Sequence, residues 1–209
     1  MSKIKAIIFD MDGVLIEAKE WHYKALNKAL KLFGMEISRY EHLTTFDGLP
    51  TKEKLKILSI NKGLSQNLHS FINELKQQYT MEMVYNYCKP KFHHEFALSK
   101  LKNEGYKLVL CSNSIRHTIE VMMQKAALET YLDFYLSNED VSKPKPDSEI
   151  YTKAILKLGL KPEQCMVVED NENCIKADKA SGARVMIVKE TQEVNYENIK
   201  KHIEKFEGE

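Results

Sequence analysis

The 209-residue sequence has 43% hydrophobic and 29% charged residues, the balance of an ordinary folded, soluble protein. A formal net charge of +1 supplies no electrostatic drive toward nucleic acid or an anionic membrane, and neither is expected as a partner. The four cysteines (Cys88, Cys111, Cys165, Cys174) lack Cys-x-x-Cys spacing, which argues against a disulfide framework.

The first apolar run, within residues 5–10, is stopped by Asp10 and Asp12 and is too short for a secretion signal. No stretch reaches the ~20 apolar residues of a membrane span, so a cytoplasmic location is expected. Residues 16–85 contain no strand pattern. Trp21, Ala25, Leu30 and Phe33 mark an amphipathic helix ending at Gly34. A loop through Asp47-Gly48-Leu49-Pro50 precedes a short helix around residues 52–58, and Leu68, Phe71, Leu75 and Tyr79 mark another helix. His93 and His94 are adjacent, do not share a helix face, and are expected at the surface.

Four further apolar runs follow, at 107–112, 133–137, 165–170 and 183–188. All five runs are short and do not alternate strictly, as befits strands buried on both faces of a parallel sheet. Helical patterns occupy 114–127 and 148–158, the second with Gly159 at the C-cap position. The Lys- and Glu-rich segment 196–207 reads as a solvated helix face. The expected architecture is α/β: a Rossmann-like doubly wound core from residues 1–15 and 86–209, and a small helical cap domain from 16–85. No apolar stripe is left over, so a monomer is expected.

Ligands of open parallel sheets bind outside the carboxyl ends of the strands. The first run ends in Asp10-Met11-Asp12-Gly13, the second in Ser112-Asn113, and the fourth in Glu169-Asp170. The loop after the third contains Ser142-Lys143-Pro144-Lys145-Pro146. Each has a plain structural reading by itself: a turn, a helix N-cap, a solvated lysine, and acidic residues favoured at a helix N-terminus. Together they deliver four carboxylates to one place, and these cannot all stay ionised without compensation. A hard divalent cation, Mg²⁺, held by oxygen ligands would supply it, with Lys143 adding a further positive charge. The remaining excess of about one negative charge marks Asp12 as a proton donor when a phosphate dianion arrives.

Asp-x-Asp-Gly, Ser-Asn, Lys-Pro-x-Pro-Asp and Glu-Asp, in this order over residues 4–188, resemble the four motifs of the haloacid dehalogenase superfamily. The helical insertion after the first motif is similar to the cap of the subgroup containing small-metabolite phosphatases and β-phosphoglucomutase. The resemblance implies that Asp10 is a nucleophile forming an aspartyl-phosphate, with Asp12 as general acid and then base. It implies that Ser112 and Lys143 hold the phosphoryl oxygens and that Asn113 lends a donor. It further implies that Asp10, the Asp12 carbonyl, Glu169 and Asp170 bind Mg²⁺. His22 resembles a cap histidine of β-phosphoglucomutase, and Thr51 and Lys52 stand where its mutase arginine is usual. The sequence also departs from the pattern at Pro90-Lys91-Phe92-His93, where Pro-Gly is usual, and at Asn171 and Cys174, where Ser and Gly are common. The expected activity is Mg²⁺-dependent hydrolysis of a small phosphorylated metabolite, such as a sugar phosphate. A phosphosugar mutase and a non-catalytic binding relative are the alternatives.

Overall fold

The computed structural model describes residues 3–170 and 181–208. The chain forms two compact units, Met1–Glu17 with Lys89–Glu209, and Ala18–Cys88. The first unit is built on strands β1 (Ala6–Phe9), β2 (Lys107–Cys111), β3 (Phe134–Leu136), β4 (Cys165–Glu169) and β5 (Arg184–Ile187). They form one parallel sheet in the order β3-β2-β1-β4-β5. The second unit holds helices α1 (Lys19–Lys31), α2 (Arg39–Glu41), α3 (Thr51–Lys62) and α4 (His69–Tyr87). The sheet unit adds α5 (Phe92–Asn103), α6 (Arg116–Lys125), α7 (Glu149–Leu158) and α8 (Tyr196–Gly208).

β1 is central and every one of its side chains is buried, which is why Ala-Ile-Ile-Phe carries no polar residue. Side chains alternate between the two sheet faces. Ala6 and Ile8 of β1, Val109 and Cys111 of β2, and Cys165 and Val167 of β4 share a face and pack with Ile150, Tyr151, Ala154 and Ile155 of α7. Those α7 residues recur at helical spacing, and the helix closes at Gly159 with a left-handed φ of 66°. Burying one such aliphatic side chain is worth about 1.5–3 kcal/mol.

The sheet order reverses at β1: the chain runs outward through β2 and β3, then returns to pair β4 on the other side of β1. That is the switch point at which doubly wound sheets open a crevice for ligand. Phe9 pairs with both Leu110 and Val168, so the next residue along each strand, Asp10, Cys111 and Glu169, emerges at the same level.

In the helical unit, Leu26, Ala29, Leu30, Ile37, Leu55, Leu58 and Ile72 form a separate core. The amide of Asn27 donates to Ile37 O (2.9 Å) and accepts from Ile37 N (2.8 Å), fixing the chain after α1. Residues 39–46 are helical as well, a stretch that periodicity does not reveal. The short helix expected at 52–58 extends over Thr51–Lys62 and stops at Gly63. The helix expected from 114 begins at Arg116, whose N–H is taken by Glu139 Oε2 at 2.6 Å. His94 is a correction: it is 1% exposed, and its Nε2 donates to Thr191 O at 2.9 Å, with burial driving its pKa down to about 4. Among the described residues no helix is long and apolar enough to cross a membrane.

Candidate active site

Asp10 continues β1, its N–H donating to Val168 O at 3.0 Å. It follows the face alternation of Ala6 and Ile8, so its carboxylate points to the α7 side. Glu169, fully buried, follows Cys165 and Val167 to the same side. Downstream of Asp10 the chain turns sharply: Met11 O accepts from Leu15 N (3.0 Å) and Ile16 N (2.8 Å), and Gly13 N donates to Ile16 O (2.7 Å). Gly13 sits at φ 93°, a conformation that favours glycine. The turn leaves Asp12 part-exposed, with Oδ2 accepting from Ser114 Oγ at 3.2 Å.

The lysine that reaches these carboxylates is Lys145, not Lys143. Lys145 is 1% exposed, and its Nζ lies 2.7 Å from Asp10 Oδ1 and 3.1 Å from Glu169 Oε1. Its backbone is held on both sides by one amide: Lys145 N donates to Asn113 Oδ1 (3.0 Å), and Asn113 Nδ2 donates to Lys145 O (3.1 Å). Lys143 is exposed, and its N–H is bound to Glu149 Oε2 at 2.9 Å. The Lys-Pro pair occurs twice in Lys143-Pro144-Lys145-Pro146, so the motif alone offers two registers, and the fold selects the second.

Ser112 is buried at the end of β2, where its N–H donates to Leu136 O (3.0 Å) and its Oγ accepts from Ser114 N (3.0 Å). It therefore closes a local turn rather than capping α6, which starts four residues later. The side chain of Asn113 serves the backbone of Lys145. Ser114 and Tyr151 are further members that the motifs do not contain. Tyr151 carried one signal: a tyrosine in an apolar helix stripe must find a partner for its hydroxyl.

Carboxylate oxygens of Asp10, Glu169 and Asp170 lie within 4.8 Å of one another. The Asp10 pKa is raised well above the usual carboxylate range, first by burial and then by Glu169, Asp12 and Asp170, with Lys145 opposing. A crowded set of hard oxygen donors that one ammonium does not neutralise fits a hard divalent cation, and these three residues could hold one. In the helical unit, described by itself, the buried Lys76 ammonium donates to His22 Nδ1 at 3.1 Å. Thr51 is half-buried at the start of α3 and Lys52 beside it is exposed. Asn171 and Cys174 lie outside the described residues.

A buried aspartate just past the central strand, a lysine ion-paired to it and an acidic pair at the end of the neighbouring strand define a hydrolase-type site of an α/β core. The sequence profile of the haloacid dehalogenase-like hydrolases matches residues 7–188, and the chain belongs to that family. It is similar to a phosphorylated carbohydrates phosphatase of Thermotoga maritima, at 28% identity over 182 residues, 86% of this chain and 82% of that protein. It is also similar to a phosphoglycolate phosphatase of Aquifex aeolicus, at 26% identity over 184 residues, 88% and 84% of the two chains. Among solved structures, a β-phosphoglucomutase of Clostridium difficile has the same fold, with a TM-score of 0.83 and 22% identity, covering 99% of this chain and 100% of that one.

Proposed function

We propose that the protein is a Mg²⁺-dependent phosphatase of a small phosphorylated metabolite, of the sugar-phosphate kind. The observation that carries this reading is Asp10, buried at the switch point of the sheet with Lys145 Nζ at 2.7 Å and two further carboxylates beside it. Both similar phosphatases support a small phosphorylated metabolite, and the phosphorylated carbohydrates phosphatase supports the sugar-phosphate kind.

In the proposed reaction a carboxylate oxygen of Asp10 attacks phosphorus as the bond to the leaving oxygen breaks, giving an aspartyl-phosphate. Asp12 gives its proton to the leaving alkoxide and then takes one from the water that attacks the aspartyl-phosphate, releasing orthophosphate. Lys145 and Ser112 hold the phosphoryl oxygens, and Ser114 keeps Asp12 oriented. Mg²⁺, held by Asp10, Glu169, Asp170 and the Asp12 carbonyl, would neutralise phosphoryl charge. By the family resemblance, the helical unit would read the rest of the substrate through His22, Thr51 and Lys52. Positioning and charge stabilisation supply most of the rate in such transfers.

The test is phosphate release from a panel of phosphorylated metabolites, with Mg²⁺ and with EDTA, for the wild type and Asp10→Asn. Turnover that needs Mg²⁺ and is lost in the variant is expected. Equal activity in Asp10→Asn, or isomerisation of β-glucose 1-phosphate without phosphate release, would overturn the reading.

A further inference from the structure

Tyr151 sits in the buried face of α7, fully enclosed and among the largest buried side chains of the protein. Its ring packs under the sheet with Ile8, Val109 and Val167. At its far end the hydroxyl donates to Glu169 Oε1 at 3.2 Å. The same Glu169 oxygen accepts from Lys145 Nζ at 3.1 Å, while Oε2 accepts from Asp170 N at 2.7 Å. The Lys145 ammonium lies 4.8 Å from the centre of the Tyr151 ring, within range of a cation–π contact.

We infer that Tyr151 is a positioning residue: it holds Glu169 through its hydroxyl and Lys145 through its ring, and so aims the Lys145 ammonium at Asp10. The inference rests on the proposed phosphoryl chemistry for its effect on rate, and on geometry alone for the contact itself. Three fixed points then locate Lys145. Asn113 takes both of its backbone groups, Glu169 and Asp10 take its ammonium, and the ring of Tyr151 lies 4.8 Å from that ammonium. A long flexible side chain otherwise loses much of its electrostatic value, because a cation helps a transition state only where it is already in place. The hydroxyl matters because it occupies part of the Glu169 oxygen. Without it, Lys145 can follow Glu169 away from Asp10. Hydrogen-bond partners that orient a metal-holding side chain, the role open to Glu169, are typically worth 10–100-fold in metal affinity or activity.

Tyr151→Phe removes the hydroxyl and keeps the packing ring, so folding is retained and a melting temperature within about 2 °C of wild type verifies it. The expected result is a kcat lower by about tenfold with KM within about twofold. The ¹⁵N resonance of the Lys145 ammonium, assigned by its loss in Lys145→Met, should shift and weaken in Tyr151→Phe. An unshifted resonance overturns the inference whatever happens to kcat, and so does a kcat within about twofold of wild type. Should the wild type release phosphate from no compound, the proposed function fails, while the Lys145 resonance still decides whether Tyr151 holds Lys145.

Discussion

Exchanging the two lysines of the Lys-Pro repeat separates a group in the site from one on the surface. Lys145→Met keeps the aliphatic stem, which is 1% exposed, and removes the charge 2.7 Å from Asp10 Oδ1. A preorganised donor aimed at developing charge is worth about 2.7–4 kcal/mol, so kcat should fall by about 10²–10³. Stability changes on a different scale. Removing one partner from a buried ion pair costs about 3–5 kcal/mol when the charge left behind cannot escape. Here Asp10, whose pKa is already raised, takes up a proton instead, and the loss should be smaller. Lys143→Ala removes an exposed side chain whose residue is tied down through its backbone N–H, so kcat and stability should both stay near wild type. Phosphate release at saturating substrate, with thermal melts of each variant, reads both quantities. A hundredfold loss in Lys143→Ala, with Lys145→Met active, would refute the assignment.

His94 should make the protein acid-sensitive: burial lowers its pKa from 6.5 to about 4, so between those values the unfolded chain binds more protons. Its contribution is fully present above about pH 6.5 and is lost as pH falls toward 4, by about 3 kcal/mol. Denaturant melts of His94→Gln should show a shallower loss over that window, and an unchanged slope would contradict it. His42 in the helical unit, lowered to about 4 by burial and then by Lys54, has the same sign. Ser114→Ala removes the donor 3.2 Å from Asp12 Oδ2 and should lower kcat about threefold to tenfold without moving the melting temperature. A kcat equal to wild type would show that Asp12 is oriented without it.

Much of the fold is visible in the sequence because its signals are local. The central strand is a continuous apolar run since both of its faces are covered, and the same holds for Leu108 to Cys111 of β2 and Cys165 to Val168 of β4. Helix α7 declares itself by its apolar stripe and Gly159. Residues 39–46 do not, because their helical turns are short and bury little beyond His42 and Phe46. The burial of His94 is hidden from the sequence for a related reason: its partner Thr191 lies 97 positions away, and no local pattern signals a buried imidazole satisfied at that distance.

The acidic members of the site follow from strand geometry once the sheet order is known. With Phe9 level with Val168, the next residues are Asp10 and Glu169, and the two-residue alternation sends both side chains toward α7. Tyr151 belongs to the α7 stripe and meets Glu169 for the same reason. The lysine has no such rule, since it lies in a loop where neither the strand period nor the helix period applies. Its register is selected by Asn113, 32 residues earlier, which binds the backbone N–H and carbonyl of Lys145 together. A motif that spans a loop therefore identifies the residue type the chemistry needs. Choosing between two such residues two positions apart requires the tertiary contact that places one of them, and here that contact buries Lys145 and leaves Lys143 in solvent.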